Sequence, residues 1–168
     1  MPLNQTRATA SLPQPRFEDG RPMTIAGLRE HYTRASLDDI PALWQRLVAS
    51  GFPGRIGPVD HAVVFPTADG CDYIAGYEVA GSAEPPKGFA RVEIPPRRYA
   101  VFTHDGHVST MRNTCASILG TWLPASGLQI AGTTDADAFF LERYGEGFDP
   151  RTGLGDMQIW VPVTEVRG

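Results

Sequence analysis

Residues 37–51, LDDIPALWQRLVASG, show a pattern that a later stretch of the chain repeats, and this repetition indicates the fold class. Residues 107–127, HVSTMRNTCASILGTWLPASG, also place Trp four residues after Ile and also close on Ala-Ser-Gly. In the first stretch apolar residues recur at the spacing of one helix face, at Ile40, Leu43, Trp44, Leu47 and Val48. We therefore predict two equivalent amphipathic helices. Asp38 or Asp39 is placed to cap the first, and Pro124 and Gly127 to end the second.

Strand-like segments flank both helices in the same order. Before each helix the sequence shows a short strand, a kink with Gly or Pro, and a longer strand, and after each helix come two more β-branched or aromatic runs. In the first half these segments are 16–28, 61–67 and 71–80, and in the second half 91–103, 138–145 and 156–163. The chain thus repeats after about 75 to 78 residues. We predict an α+β fold: two βαββ units forming an antiparallel sheet arrangement, with two main helices and a ligand groove between the halves.

Composition bounds the class of protein. The net charge is −4, and the 15 Lys and Arg residues are scattered, so no basic patch for nucleic acid is visible. Two cysteines without metal-type spacing favour a reduced, cytoplasmic setting, and no apolar run is long enough to span a membrane. The polar, Pro-containing start predicts a disordered lead over 1–14, followed by one domain over 15–168.

The stretch FTHDGH (102–107) places two histidines three residues apart. The helical stripe begins near Val108, so Asp105 and Gly106 are expected to form the turn between strand and helix. A zinc site would need two more ligands, and the other histidines show no suitable spacing. We predict a turn rather than a metal site, and no cofactor.

The stretch FFLERYG (139–145) contains a carboxylate among aromatic and apolar residues. On a strand Phe140, Glu142 and Tyr144 face one way, while Leu141 and Arg143 face the other. A half-buried Glu142 needs a partner or a shifted pKa. That partner is either an organic cation, with cation–π attraction from the rings, or an Arg on a neighbouring strand. An exposed glutamate on an edge strand is the third interpretation.

Aromatic residues are also placed in pairs. Tyr73 and Tyr77 share one face of their predicted strand, and Trp44 and Trp122 end the two helices at equivalent positions. Core packing accounts for such residues in most domains, but the symmetric tryptophans also fit matching walls of a cleft. Motifs of covalent hydrolases, phosphate-binding loops and zinc proteases are absent from the sequence.

Six segments in order resemble the GyrI-like domain, also called the AraC-type effector-binding domain. They are IPALW (40–44), DYIAGYEV (72–79), RYAVFTHDGH (98–107), TWLPASG (121–127), LERYGEGFDPRTG (141–153) and IWVPV (159–163). The resemblance covers roughly residues 16 to 165 and implies a duplicated βαββ module with a groove between its halves. In transcriptional regulators this domain is joined to a DNA-binding domain, whereas the present chain is expected to be the stand-alone form.

The resemblance implies a receptor for lipophilic, often cationic or aromatic small molecules. The acidic contact of the family matches Glu142, beside Tyr144, and the groove aromatics match Trp122 and Tyr73. Phe102 and Trp160 also match groove aromatics of the family. His104 joins the expected ligand-binding set because it shares the strand face of Phe102. Direct nucleic-acid binding and membrane contact are not expected, while a partner protein is possible.

Some stand-alone members resemble hydrolases of strained, cyclopropane-bearing toxins. In that interpretation Glu142 orients or deprotonates a water and Tyr73 donates a hydrogen bond to the developing oxyanion. Other relatives resemble protein inhibitors of a DNA-processing enzyme such as gyrase. The residues needed for binding and for hydrolysis nearly coincide, so the sequence leaves these alternatives open.

Overall fold

The computed structural model describes residues 14–132 and 138–166. The predicted disordered lead therefore lies, apart from Gln14, outside the described residues. The first half contains β1 (Arg16–Asp19), β2 (Met23–Thr33), α1 (Ile40–Ala49), β3 (Asp60–Pro66) and β4 (Gly70–Val79). The second contains β5 (Ala90–Ile94), β6 (Arg98–Thr103), α2 (Met111–Ser117), α3 (Leu123–Ser126), β7 (Leu128–Ile130), β8 (Phe140–Tyr144) and β9 (Met157–Glu165).

The strands form one antiparallel sheet whose order reflects the repeat. The order is β1-β6-β9-β8-β3-β4-β2-β5, and β7 pairs with β9. In the sheet, β3, β4 and β2 of the first half lie side by side, as do β6, β9 and β8 of the second half. The halves meet where β8 pairs with β3. The short first strand of each half crosses over, so that β1 pairs with β6 and β5 pairs with β2. The predicted α+β fold of duplicated βαββ units is confirmed, and the exchanged strands tie the two halves together.

The first helix forms where it was predicted, with one difference in its apolar stripe and one at its start. Leu43 and Leu47 are buried against the sheet, but Val48 is 70% exposed and lies outside the core. Neither Asp38 nor Asp39 caps the helix, because no side-chain cap hydrogen bond forms at its start. Without a capping side chain, α1 is held on the sheet mainly by the burial of Leu43 and Leu47.

The second helical segment is not continuous. Between α2 and α3 the backbone widens into a π turn over Ile118–Trp122, where the Leu123 N–H donates to the carbonyl of Ile118. Pro124 has no N–H to donate to the ladder at this point, which favours such a local rearrangement. Pro124 lies inside α3 instead of ending the segment, and Gly127, with φ 76°, ends it.

The sheet has two different buried faces. The face that carries the helices includes Tyr73, Phe102 and Tyr144 together with Leu43 and Leu47 of α1. The opposite face carries a second cluster of buried residues, made of Ile25, Val63, Ile74, Ile94, Tyr99, Val101, Phe139, Leu141 and Trp160. Consecutive residues of a strand point to opposite faces, so β2, β3, β4, β6, β8 and β9 each supply both clusters. We call these the helix face and the far face.

Candidate functional site

Glu142 lies at the seam between the two halves, on the helix face. It belongs to β8, where its register partners are Ala62 on β3 and Ile159 on β9. The residue is 8% exposed and lies on a central strand, which rules out the edge-strand interpretation. Ala62 pairs in turn with Ala75 on β4. These small side chains leave space beside the carboxylate for larger side chains to approach.

Two tyrosine hydroxyls occupy that space. Tyr73 from β4 donates to Oε1 of Glu142 at 3.0 Å, and Tyr144 donates to the same oxygen at 2.9 Å. The indole N–H of Trp44, on α1, donates to the Tyr73 hydroxyl at 3.0 Å. Sγ of Cys115, on α2, lies 4.0 Å from Oε2. Both helices therefore reach over the carboxylate, and within the described part of the chain its second oxygen meets only the weak thiol donor of Cys115.

Burial dominates the electrostatics of this cluster. It raises the pKa of Glu142, although the hydrogen bonds from Tyr144 and Tyr73 act in the opposite direction. Burial and the Glu142 charge also hold the pKa values of Tyr73 and Tyr144 well above their ordinary range. Among the described residues no Arg or Lys forms a salt bridge with Glu142. The carboxylate is thus solvated by hydroxyls and lacks a counter-charge.

Aromatic rings surround the two tyrosines. The ring of Trp44 packs edge-on against Tyr73 at 6.5 Å and against Tyr144 at 5.5 Å between centroids. Tyr32 meets the Tyr73 ring edge-on at 6.2 Å, and Phe148 lies 5.0 Å from Tyr144. These rings form a nearly continuous apolar wall around the carboxylate.

Phe102 and Trp122 form a second aromatic pair on the same face. Their rings meet edge-on at 4.9 Å, with Trp122 carried by the π turn. Phe102 is the register partner of Ile159, which is itself the partner of Glu142. The predicted residues Phe102 and Trp122 therefore lie on the helix face, two strands away from the carboxylate.

Trp160 does not belong with these residues. It lies on the far face in the cluster that contains Tyr99, and its indole N–H donates to Gln158 at 2.9 Å. The interpretation of Trp160 as a wall of the Glu142 groove is therefore wrong. Its register partner is Leu141, one residue before Glu142, and this single-residue offset sends the side chain to the other side of the sheet.

The two histidines of the FTHDGH stretch build the predicted turn. His104 follows β6, is 3% exposed, and its Nε2 donates to the carbonyl of His107 at 3.0 Å while Nδ1 accepts from the Thr114 hydroxyl at 2.8 Å. Nδ1 of His107 accepts the backbone N–H of Ser109 at the start of the helical segment. Gly106, with φ 112°, supplies the turn conformation. Among the described residues His104 forms its hydrogen bonds with Thr110, Thr114 and the carbonyl of His107, and none with Glu142.

Trp44 and Cys115 belong to the cluster although sequence reasoning did not place them there. Trp44 lies on the predicted stripe of the first helix and was considered as a cleft wall, whereas no role for Cys115 was predicted from the sequence. Their contacts with Tyr73 and Glu142 depend on how the helices cross the sheet. Within residues 14–132 and 138–166, no three His, Cys, Asp or Glu side chains converge for a metal ion, and no helix is long and apolar enough to cross a bilayer.

Comparisons with known proteins agree with this architecture. The transcriptional regulator BrlR of Pseudomonas aeruginosa is 26% identical over 144 residues, which are 83% of this chain and 52% of the regulator. The chain therefore spans about half the length of that relative. A solved structure of SAV2435 bound to tetraphenylphosphonium has a TM-score of 0.67 at 20% identity, covering 90% of this chain and 94% of that one.

A hydrolase from Listeria innocua shares the fold with a TM-score of 0.56 and 13% identity, over 95% of this chain and 96% of the hydrolase. At such identities the solved structures show the fold alone. A family model described as Cass2, integron-associated effector binding protein, matches residues 17–163. This match covers most of the chain and agrees with the resemblance to effector-binding domains. The chain belongs to the Cass2 family of integron-associated effector binding proteins.

Proposed function

We propose that this protein binds lipophilic organic cations, with Glu142 as the counter-charge and the surrounding aromatic rings as the walls of the site. The observation that carries the proposal is the buried Glu142 carboxylate, which accepts two tyrosine hydroxyls but has no basic partner among the described residues. An organic cation would supply the missing charge. Family membership and the tetraphenylphosphonium complex of SAV2435 support this ligand class.

The chemistry of the walls favours a large, delocalised cation over a metal ion. A small hard cation prefers several oxygen ligands, whereas this site offers one carboxylate among rings. Tyr73, Tyr144 and Trp44 present aromatic surfaces that attract a diffuse positive charge and bury the apolar body of its carrier. A lipophilic cation also loses less hydration energy than a compact one when it enters such a site.

Entry of the ligand requires the cover over Glu142 to open. The carboxylate is 8% exposed, and Trp44 of α1 and Cys115 of α2 lie over it. The π turn after α2 already departs from regular helix geometry beside Trp122. We therefore place the movable part of the site in the helices, while the sheet supplies a fixed carboxylate and its tyrosines.

The test is a matched pair of ligands measured by calorimetry: methyltriphenylphosphonium and the neutral triphenylphosphine oxide. Wild type is expected to prefer the cation, and Glu142→Gln to lose about 1.5–3 kcal/mol of cation binding while oxide binding changes little. Glu146→Gln removes a charge from an exposed position nearby and serves as the control. The proposal fails if the cation and the oxide bind equally in wild type, or if the two variants behave alike.

Hydrolysis of a strained electrophile is a second candidate function. It is favoured by the raised pKa of Glu142, which makes the carboxylate a stronger base, and by the shared fold of the Listeria innocua hydrolase. In this mechanism Glu142 takes a proton from a water, and the water oxygen bonds to a cyclopropane carbon as the ring C–C bond breaks. The electron pair of that bond moves to a conjugated carbonyl oxygen of the alkylator, to which Tyr73 donates after turning from Glu142. Incubation with a cyclopropane-bearing alkylator, followed by mass spectrometry, should then show catalytic formation of a water adduct. Recovery of unchanged alkylator at every pH excludes this activity.

A further inference from the structure

The far face of the sheet contains a cavity of about 430 Å³. This volume lies in the range of small-molecule sites. Tyr99, Arg143 and Trp160 line it together with Met23 and Arg21. The cavity is separated from Glu142 by the sheet itself, because Glu142 and Arg143 are neighbours on β8 with side chains on opposite faces. It therefore plays no part in the site proposed above.

Two buried polar groups belonging to residues that line this cavity have no hydrogen-bond partner among the described residues. These are the hydroxyl of Tyr99, a residue only 1% exposed, and Nε of Arg143. The Arg143 guanidinium carbon lies 4.4 Å from the centre of the Trp160 ring, and Tyr99 meets that ring edge-on at 5.4 Å. Burial raises the pKa of Tyr99 to about 12, so its hydroxyl is a donor at neutral pH. Buried donors of this kind normally have acceptors.

The charges around the cavity leave one cation uncompensated. Its carboxylates are each paired: Glu18 with Arg16 at 3.3 Å and Asp19 with Arg98 at 3.2 Å. Arg21 is held by Glu78 through two hydrogen bonds. Arg143 forms no salt bridge within the described part of the chain. Burial lowers its pKa, as expected for a cation that lies partly out of water. The neighbouring His61 is uncharged at neutral pH because burial and the charge of Arg143 lower its pKa to about 4.

We propose that this far-face cavity is a second ligand site, which binds a small aromatic or apolar monocarboxylate through Arg143 and Tyr99. A carboxylate provides planar acceptor oxygens for the Arg143 guanidinium, and for the Tyr99 hydroxyl once that covered group turns toward the cavity. Trp160 and Met23 offer apolar walls for the body of the ligand. Among the described residues around the cavity one positive charge is in surplus. This charge suits a monoanion, because a dianion would also face the carboxylates of Glu18 and Asp19.

The test uses 2-naphthoate and the neutral 2-naphthamide as probes of the whole chain, with binding followed by NMR. Naphthoate is expected to shift the amide signals of Tyr99, Arg143 and Trp160, and to bind at least tenfold more tightly than naphthamide. Arg143→Met should weaken naphthoate by about 10- to 100-fold and Tyr99→Phe by about three- to tenfold. Arg151→Met removes the same charge from a side chain that is 88% exposed, and should change the affinity less than twofold.

Three results would overturn the proposal. They are equal affinity of wild type for naphthoate and naphthamide, equal effects of Arg143→Met and Arg151→Met, and signal shifts confined to Trp44 and Trp122 on the helix face. Circular dichroism checks that each variant is folded. If Arg143→Met does not fold, the comparison of the two probes on wild type decides alone, since it needs no substitution.

Discussion

Glu142 and Arg143 are adjacent on β8 and show how one strand serves two chemically opposite surfaces. Both are ionisable and at least half-buried, and neither has an oppositely charged side chain in salt-bridge distance among the described residues. Glu142 is stabilised by two tyrosine hydroxyls, whereas Arg143 stacks on Trp160. The period-two alternation of a strand thus places a buried carboxylate and a buried guanidinium on opposite faces of the sheet within a single peptide unit.

Burial disfavours the charged form of both residues and therefore shifts their pKa values in opposite directions. Burial raises the pKa of Glu142 and lowers that of Arg143, so each is displaced toward its neutral form. A ligand of opposite charge would reverse either displacement. The free protein thus retains two electrostatically unfavourable groups, as is common where a site is prepared for a ligand.

The largest effect is expected at the tyrosines of the helix face. Tyr73 both donates to Glu142 and accepts from Trp44, whereas Tyr144 donates to Glu142 and lacks the bond to Trp44. Tyr73→Phe should therefore lower the free energy of unfolding by about 2–4 kcal/mol and Tyr144→Phe by about 1–2 kcal/mol. Urea denaturation at neutral pH measures both. An equal or larger loss for Tyr144→Phe would show that the Trp44 bond contributes nothing to stability.

The far face should dominate the pH dependence of stability through His61. This histidine is 2% exposed, and its folded pKa of about 4 lies below its ordinary 6.5. Between these values the unfolded chain binds more protons, so stability falls as the pH falls, by up to about 3 kcal/mol. His61→Phe should remove this loss, as seen by urea denaturation at pH 7 and pH 4.5.

The pKa of Glu142 is raised, so the contribution of that residue to stability increases as the pH falls and opposes the effect of His61. Because wild type and His61→Phe both contain Glu142, the difference between them isolates the contribution of His61. Replacing the exposed His107 by Asn, which keeps an acceptor for the Ser109 N–H, should leave the loss in place. Identical pH profiles for wild type and His61→Phe would contradict the buried, uncharged state of this side chain.

The smallest effect is expected from Trp160, and it tests the separation of the faces. Since Trp160 lies across the sheet from Glu142, Trp160→Phe should change the affinity for methyltriphenylphosphonium less than twofold. Trp44→Phe, which removes the indole N–H bound to Tyr73, should weaken the same ligand more strongly. Calorimetry with both variants measures the contrast, and equal losses would mean that the two faces are not independent.

Local patterns predicted much of this molecule. The alternation in FFLERYG (139–145) was sufficient to place Glu142 and Tyr144 on one face and Arg143 on the other. The helical stripe predicted α1, and the Gly106 turn before the second helical segment was expected from the Asp-Gly pair. These features depend on spacing within one element, which the sequence displays directly.

Features that depend on pairing between distant segments were not predictable in the same way. The exchange of β1 and β5 between the halves, and the short strand β7, arise from register over long sequence separations. Trp160 was assigned to the wrong face because its register against β8 is not visible in its own strand. The π turn depends on how Pro124 is accommodated within a packed helix.

The most direct test of the central claim is an NMR titration of the side-chain carboxyl carbon of Glu142, without ligand and with methyltriphenylphosphonium. In the free protein we expect a pKa above the ordinary value for glutamate, because burial disfavours the charged form. Saturation with the cation should lower that pKa, because the positive charge stabilises the carboxylate. A pKa at or below the ordinary value in the free protein, or one that the cation leaves unchanged, would contradict the role of Glu142 as the buried counter-charge of the ligand.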